Sequence, residues 1–353
     1  MPDRGAPGHS HLPYFKWAFI VTGVGLILGF VVGWIYGGTL AAALSFLFIT
    51  SVLAVLEISL SFDNAIVNAR KLKTMGEVWR RRFLTWGILI AVFGMRIVFP
   101  LLIIVVAANV GPWEALKLAA TRPEEYSHLM HEAHLPIAAF GGTFLMMVAL
   151  TYFFDPEKEV HWIRRIERRV AGAARIRGLE AALVLGLAVI ASILLPGEED
   201  GRQFIVAATY GLLTFLLVDA GGAIMDGGLR STQRTAAGGL GAFLYLEVLD
   251  ASFSFDGVIG AFALSHNIFI IAIGLGIGAM YVRSMTVMLV EKGTLNQYRF
   301  LEHGAFYAIL VLSLIMYAQA FFPIPEVITG FIGVALIGAA FWSSVKGKRA
   351  HGD

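Results

Sequence analysis

The order of apolar and polar positions divides the chain into ten apolar runs, at about 16–38, 39–68, 83–110, 135–154, 179–196, 203–226, 237–265, 268–290, 304–322 and 327–344. A helix needs ~20 apolar residues to cross a bilayer, so each run predicts a membrane-spanning helix. Together they predict an all-α, polytopic bundle. The second and seventh runs approach 30 residues, more than a straight crossing uses, so each is either tilted, broken or extended beyond the membrane. Five sections follow: a tail and extra first span (1–38), a first repeat (39–154), a basic segment with two spans (155–236), a second repeat (237–322), and a last span with its tail (323–353).

Composition agrees with this division. Of 353 residues, 58% are apolar and 15% charged, whereas a soluble domain carries about 25% charged residues. A secreted, disordered or nucleic-acid-binding protein is excluded. The 27 Lys and Arg fix an orientation. With both termini in the cytoplasm, 22 lie in cytoplasmic segments, three in outer loops (Lys117, Arg122, Arg202), and two, Arg96 and Arg283, inside spans. That bias follows the positive-inside rule. With no cysteine, disulfides, thiolate metal sites and a cysteine nucleophile are excluded.

One stretch occurs twice. Leu56-Glu-Ile-Ser-Leu-Ser-Phe-Asp-Asn-Ala-Ile66 aligns without gaps on Leu249-Asp-Ala-Ser-Phe-Ser-Phe-Asp-Gly-Val-Ile259. In the ten-span arrangement the copies run in opposite directions. Inverted repeats of this kind place a transporter's substrate near the midplane; the three-helix units are spans 2–4 and 7–9. Glu57, Asp63, Asp219, Glu247, Asp250 and Asp256 fall within spans, with Asp226 at an edge. Each costs ~2.5–3.5 kcal/mol at a span centre, so such residues mark ion pathways. Two intramembrane arginines cannot neutralise them all, and the surplus negative charge asks for a cation or protons.

At 100° per residue, Glu57, Ser61, Asn64 and Asn68 share one helix face, and Glu247, Asp250 and Ser254 share another. Asp63 and Asp256 lie about 120° away. Either the helix unwinds at the motif, or the second acid of each copy has another partner, with Arg96 and Arg283 as candidates. Carboxylate, amide and hydroxyl oxygens suit hard divalent ions: Mn²⁺, Mg²⁺ or Ca²⁺. Packed carboxylates cannot all stay ionised without a cation, which predicts exchange of the ion for protons. The expected ligands are Glu57, Asp63, Asn64, Glu247, Asp250 and Asp256. Ser61, Ser254 and Asp219 support them, and Arg96 and Arg283 balance charge in the empty site. No permanently bound cofactor is expected.

At Leu-Ser-Phe-Asp-Asn-Ala (60–65) and Leu-Glu-Val-Leu-Asp-Ala-Ser-Phe-Ser-Phe-Asp (246–256) the chain resembles the TerC family of bacterial membrane proteins, within the LysE-type exporter superfamily. Tyr-Val-Arg-Ser (281–284) and Arg-Phe-Leu-Glu-His-Gly (299–304) extend the likeness over roughly residues 40–325. The resemblance implies a metal-ion exporter, with Mn²⁺ as substrate and a link to tellurium resistance. It carries over to Glu57, Asp63, Asn64, Asp250 and Asp256. Gly257 stands where the first copy has Asn64, and Glu247 has no acidic counterpart at Ala54.

Three further features have competing explanations. His128, His131 and His134 with Glu132 either hold a metal outside the membrane or form an ordinary polar loop, and the tail's His9 and His11 either capture metal or do nothing. Gly25, Gly29, Gly33 and Gly37 form a small-residue ridge that either builds a homodimer or packs within the monomer. The basic segment 158–177, with Trp162, Ile163, Ile166 and Val170, is an amphipathic helix for anionic lipid. The rival functions are an exporter of amino acids or other organic cations, and an intramembrane aspartyl protease. The protease's Gly-x-Gly-Asp pattern does not surround any of Asp63, Asp219, Asp250 and Asp256.

Overall fold

The computed structural model describes residues 12–351, apart from 88, 157, 174, 175, 177 and 228–238, and the described residues contain helices and no strand. The ten apolar runs correspond to ten helices or helix groups. The first is α1 (Leu12–Gly37). A turn at Gly38, with φ of +62°, leads to Thr39, whose hydroxyl accepts from the Ala42 N–H at 3.2 Å and caps α2 (Leu40–Leu60). After a break at Ser61 comes α3 (Phe62–Thr74). Ahead of the third run lies α4 (Glu77–Arg82); the run itself comprises two π-helical stretches, Phe83–Gly87 and Ile90–Val98, and α5 (Phe99–Ala107).

Two helices follow outside the runs, α6 (Pro112–Thr121) and α7 (Pro123–Glu132), and then α8 (His134–Phe153). The basic segment carries α9 (Arg164–Ala173), ahead of α10 (Leu179–Leu194) and α11 (Glu198–Gly227). The second motif copy lies on α12 (Leu240–Leu264), followed by α13 (Ile268–Glu291). Asn267 caps α13 by accepting from the Phe269 and Ile270 N–H groups at 3.0 and 3.3 Å. The chain ends with α14 (Thr294–Gln297), α15 (Leu301–Ala318) and α16 (Glu326–His351).

Seven of the described helices are long and apolar enough to cross a membrane, and the bent group spanning residues 77–106, with 44° between its halves, makes an eighth. The chain is therefore an integral membrane protein. Of the other two runs, α10 has only 16 residues, and the 25 residues of α12 include Glu247, Asp250 and Asp256.

Packing places α12 and α3 in the middle. One group joins α1, α2 and α13; another joins α8, α11 and α15; α3 touches α13 and α15, and α12 touches α8, α11 and the second π-helical stretch. Small residues bring the first group close. A methyl added at Gly25 would strike Ile277, at Gly29 Thr50, at Gly33 Phe46, and at Gly37 Ala42. The glycine ridge thus packs within one chain, against α2 and α13. The second group buries Phe144, Leu145, Met146 and Met147 of α8 and Ile309 and Met316 of α15.

On α9, the side chain turned inward is Glu167, at 1% exposure. It accepts from Lys158 at 2.8 Å, from the Trp162 and Ile163 N–H groups at 3.1 and 2.9 Å, and from the Tyr307 hydroxyl at 3.2 Å. Ile163 and Ile166 are exposed, as expected of a face meant for lipid.

Candidate functional site

The break between α2 and α3 falls inside the first motif copy. Ser61 has φ −100° and ψ 18°, and its hydroxyl donates to Glu57 at 3.1 Å. The second copy lies within the unbroken helix α12. Of the two possibilities open from helical geometry, the first copy takes the break; the arginine pairs with its first acid, Glu57, and not with Asp63.

That arginine is Arg96, on the second π-helical stretch, whose guanidinium bonds the Glu57 carboxylate. Both side chains are buried, at 3% and 5% exposure for Glu57 and Arg96. Two close-packed glycines hold Glu57 in place. A methyl on Gly278 of α13 would overlap its side-chain carbons, and one on Gly257 of α12 would stand 3.1 Å from its Oε2. Asp63, in the first turn of α3, accepts from the Asn64 N–H at 2.9 Å, at the helix end whose dipole favours a negative charge.

Two polar cavities flank the Glu57–Arg96 pair. The first, of about 40 Å³, is lined by Asn64, Asn68, Asp250, Arg96, Arg283 and Thr286, with Phe83, Leu84 and Gly87 of the first π-helical stretch. These positions lie toward the helix ends that join the basic segments 69–82 and 291–303, and we refer to this as the inner cavity. The second, the outer cavity, of about 30 Å³, is lined by Glu57, Ser61, Asp63, Phe253, Gly257 and Thr329. Glu57 borders only the outer cavity and Arg96 only the inner one. The four residues expected on one helix face are thus divided by the break: Glu57 and Ser61 on one side, Asn64 and Asn68 on the other.

Inside the inner cavity, the Asn68 amide donates to Asp250 at 3.0 Å. The Oδ1 atoms of Asn64 and Asn68 are buried and accept no hydrogen bond. Ser254 Oγ and both oxygens of Glu247 are also buried without a partner; a methyl on Gly87 would sit 3.1 Å from Glu247 Oε1. Buried polar atoms are normally satisfied, so this concentration of free oxygens on α3 and α12 is what distinguishes the region. The motif copies approach each other at Glu57 and Gly257, and Asn68, two residues past the first copy, bonds Asp250 of the second.

The family model described as "Protein of unknown function (DUF475)" matches residues 62–351. The chain belongs to the DUF475 family. The DUF475 match takes in α3, both π-helical stretches, the second motif copy and everything to the end of α16, so it includes Asp63, Arg96, Asp250 and Arg283. It begins just after Ser61, leaving Glu57 outside. No curated protein and no solved structure matches the chain.

Several expected residues lie elsewhere. Arg283 does not pair with an acid: its Nε and Nη2 donate to the Leu84 carbonyl at 3.1 and 2.5 Å, an acceptor in the first π-helical stretch. Asp219 is exposed and lines a separate cavity of about 230 Å³ with Arg70, Lys71, Asp155 and Tyr245. His128 faces Glu132 at 3.4 Å on the exposed side of α7, and His131 contacts the Ser127 carbonyl at 2.8 Å. Among the described residues no group of three or more His, Asp or Glu side chains is arranged to hold a metal ion. The side chains of Asp256 and Asp226, and His9 and His11, lie outside the described residues. Thr329, on α16, was not foreseen: its buried Oγ1 has no partner and it borders the outer cavity. A lone threonine in an apolar run carries no sequence signal.

Proposed function

We propose that this DUF475 protein exports divalent metal cations, Mn²⁺ foremost, by alternating access through an oxygen-lined site, in exchange for protons. The observation that carries this is the inner cavity, where Asp250 stands beside the free amide oxygens of Asn64 and Asn68. An anionic carboxylate with neutral amide oxygens and no sulfur is the donor set of a hard divalent ion. Within the described residues, Asp63, Glu247 and Asp250 form no ion pair, since Arg96 serves Glu57 and Arg283 serves a carbonyl. These carboxyls are therefore left for a mobile cation or for protons to neutralise.

Size favours a metal over the organic-cation alternative. About 40 Å³ compares with the ~10–15 Å³ that one water requires, so the cavity suits a partly hydrated ion better than an amino acid. The TerC resemblance supports Mn²⁺ in particular. Ten crossings with both termini in the cytoplasm of a bacterium fit the charge bias, and the close approach of the motif copies supports an inverted repeat.

The test is cellular manganese content and Mn²⁺ sensitivity in cells expressing wild type, Asp63→Asn or Asp250→Asn. Wild type should lower cell manganese and protect against Mn²⁺, while both variants reach the membrane and do neither. Wild-type cells indistinguishable from empty vector toward Mn²⁺, Mg²⁺ and Ca²⁺ would overturn the proposal.

A further inference from the structure

Among the described residues the Glu57–Arg96 ion pair joins the two polar cavities, and each partner lies at or next to an irregularity of the backbone. Arg96 projects from a π-helical stretch, a geometry that costs regular hydrogen bonding and recurs at functional sites. Glu57 sits one turn before the break at Ser61. From the inner side, the guanidinium reaches across to the carboxylate that borders the outer cavity. The outer cavity has its own oxygens: Glu57, the Ser61 hydroxyl, Asp63 and the unpartnered Thr329 hydroxyl.

We infer that Arg96 is a built-in cation that occupies the Glu57 half-site in place of the transported ion, so that the two cavities are successive stations closed from each other by this pair. The inference rests on the proposed function. The ion at Asp250, Asn64 and Asn68 advances only when Arg96 leaves Glu57, and Arg96 returns once the ion has gone. A buried carboxylate stripped of its partner is costly, so Glu57 is never left bare: either the arginine or the metal holds it. Selectivity for doubly charged ions follows, because a single positive charge gains little by displacing a guanidinium that brings the same charge with better hydrogen bonding.

Arg96→Met preserves length and removes the competing charge. Purified in detergent, it should bind Mn²⁺ roughly tenfold more tightly than wild type, because the cost of displacing a resident partner is gone. Reconstituted in vesicles, it should fail to move Mn²⁺ productively. Should Arg96→Met not fold, Arg96→Lys keeps the charge but not the guanidinium that bonds Glu57, and should also bind Mn²⁺ more tightly than wild type.

The cysteine-free chain supplies a second readout. Ser61→Cys and Asn68→Cys should react with a membrane-impermeant thiol reagent from opposite sides. Adding Arg96→Met should open Ser61→Cys to both sides. Wild type that binds and moves Mn²⁺, together with Arg96 variants that bind it no more tightly and stay sealed, would overturn the inference and leave the proposed function standing. Wild type that neither binds nor moves a divalent ion would overturn both.

Discussion

Glu57 is held by contacts that leave no spare volume. The missing side chain of Gly278 is filled by the Glu57 stem, so Gly278→Ala forces either the acid or the helix α13 to shift. Overpacking of this kind costs typically ~1–3 kcal/mol. The expected outcome is a lower Tm in detergent and loss of Mn²⁺ export, whereas Gly186→Ala on α10, where nothing lies near an added methyl, should leave both unchanged. Glu167 shows a different residue-scale logic. Burial pushes its carboxyl up, but the Lys158 hydrogen bond, the Ile163 N–H and the nearby positive charges together outweigh burial and hold it below its ordinary value of 4.5. A carboxyl lowered on folding stabilises fully above that ordinary value and loses its contribution as pH falls toward the lower, folded one. Acidification from about pH 6 to about pH 4 should therefore lower the Tm of wild type more steeply than that of Glu167→Gln; parallel curves would contradict this.

At the scale of elements, run length and apolarity were legible because consecutive residues carry them. Each predicted run is a helix or a group of helices. The acidic motif was legible too, since Glu57, Asp63, Asn64 and Asp250 all border the two cavities. The irregularities were not. Ile90–Val98 has the letters of an ordinary apolar helix, and only packing against α12 and α13 accompanies its π-helical form. The partner of Arg283 was hidden for a related reason: the sequence shows side chains that can pair, not a carbonyl such as Leu84's that becomes available in a π-helical stretch. The break at Ser61 could be posed as a geometric necessity but not chosen, because Ser252 and Ser254 occur in the same pattern on an unbroken helix. Arg283→Leu should leave that carbonyl without its donor at a cost of ~1–3 kcal/mol, read as a lower Tm.

Across the whole molecule, the proposed ten crossings make a definite prediction about sides. Glu114 and Glu199 are exposed, as is Lys346 near the end of α16. Cysteines placed at the first two positions should be labelled from outside the cell only, and one at Lys346 only after the membrane is opened; any other pattern changes the number of crossings. The unequal repeats have a consequence at this scale as well. One copy is broken at its centre and offers Asn64 and Asn68, whereas the other is straight and has Gly257 where Asn64 would be. A carrier with two equivalent halves would half-saturate at the same ion concentration from either face. The proposed exporter has no reason to do so, and because the driving gradient alone fixes the direction of net flow, its two faces can be tuned separately, the cytoplasmic one to collect the ion and the outer one to release it.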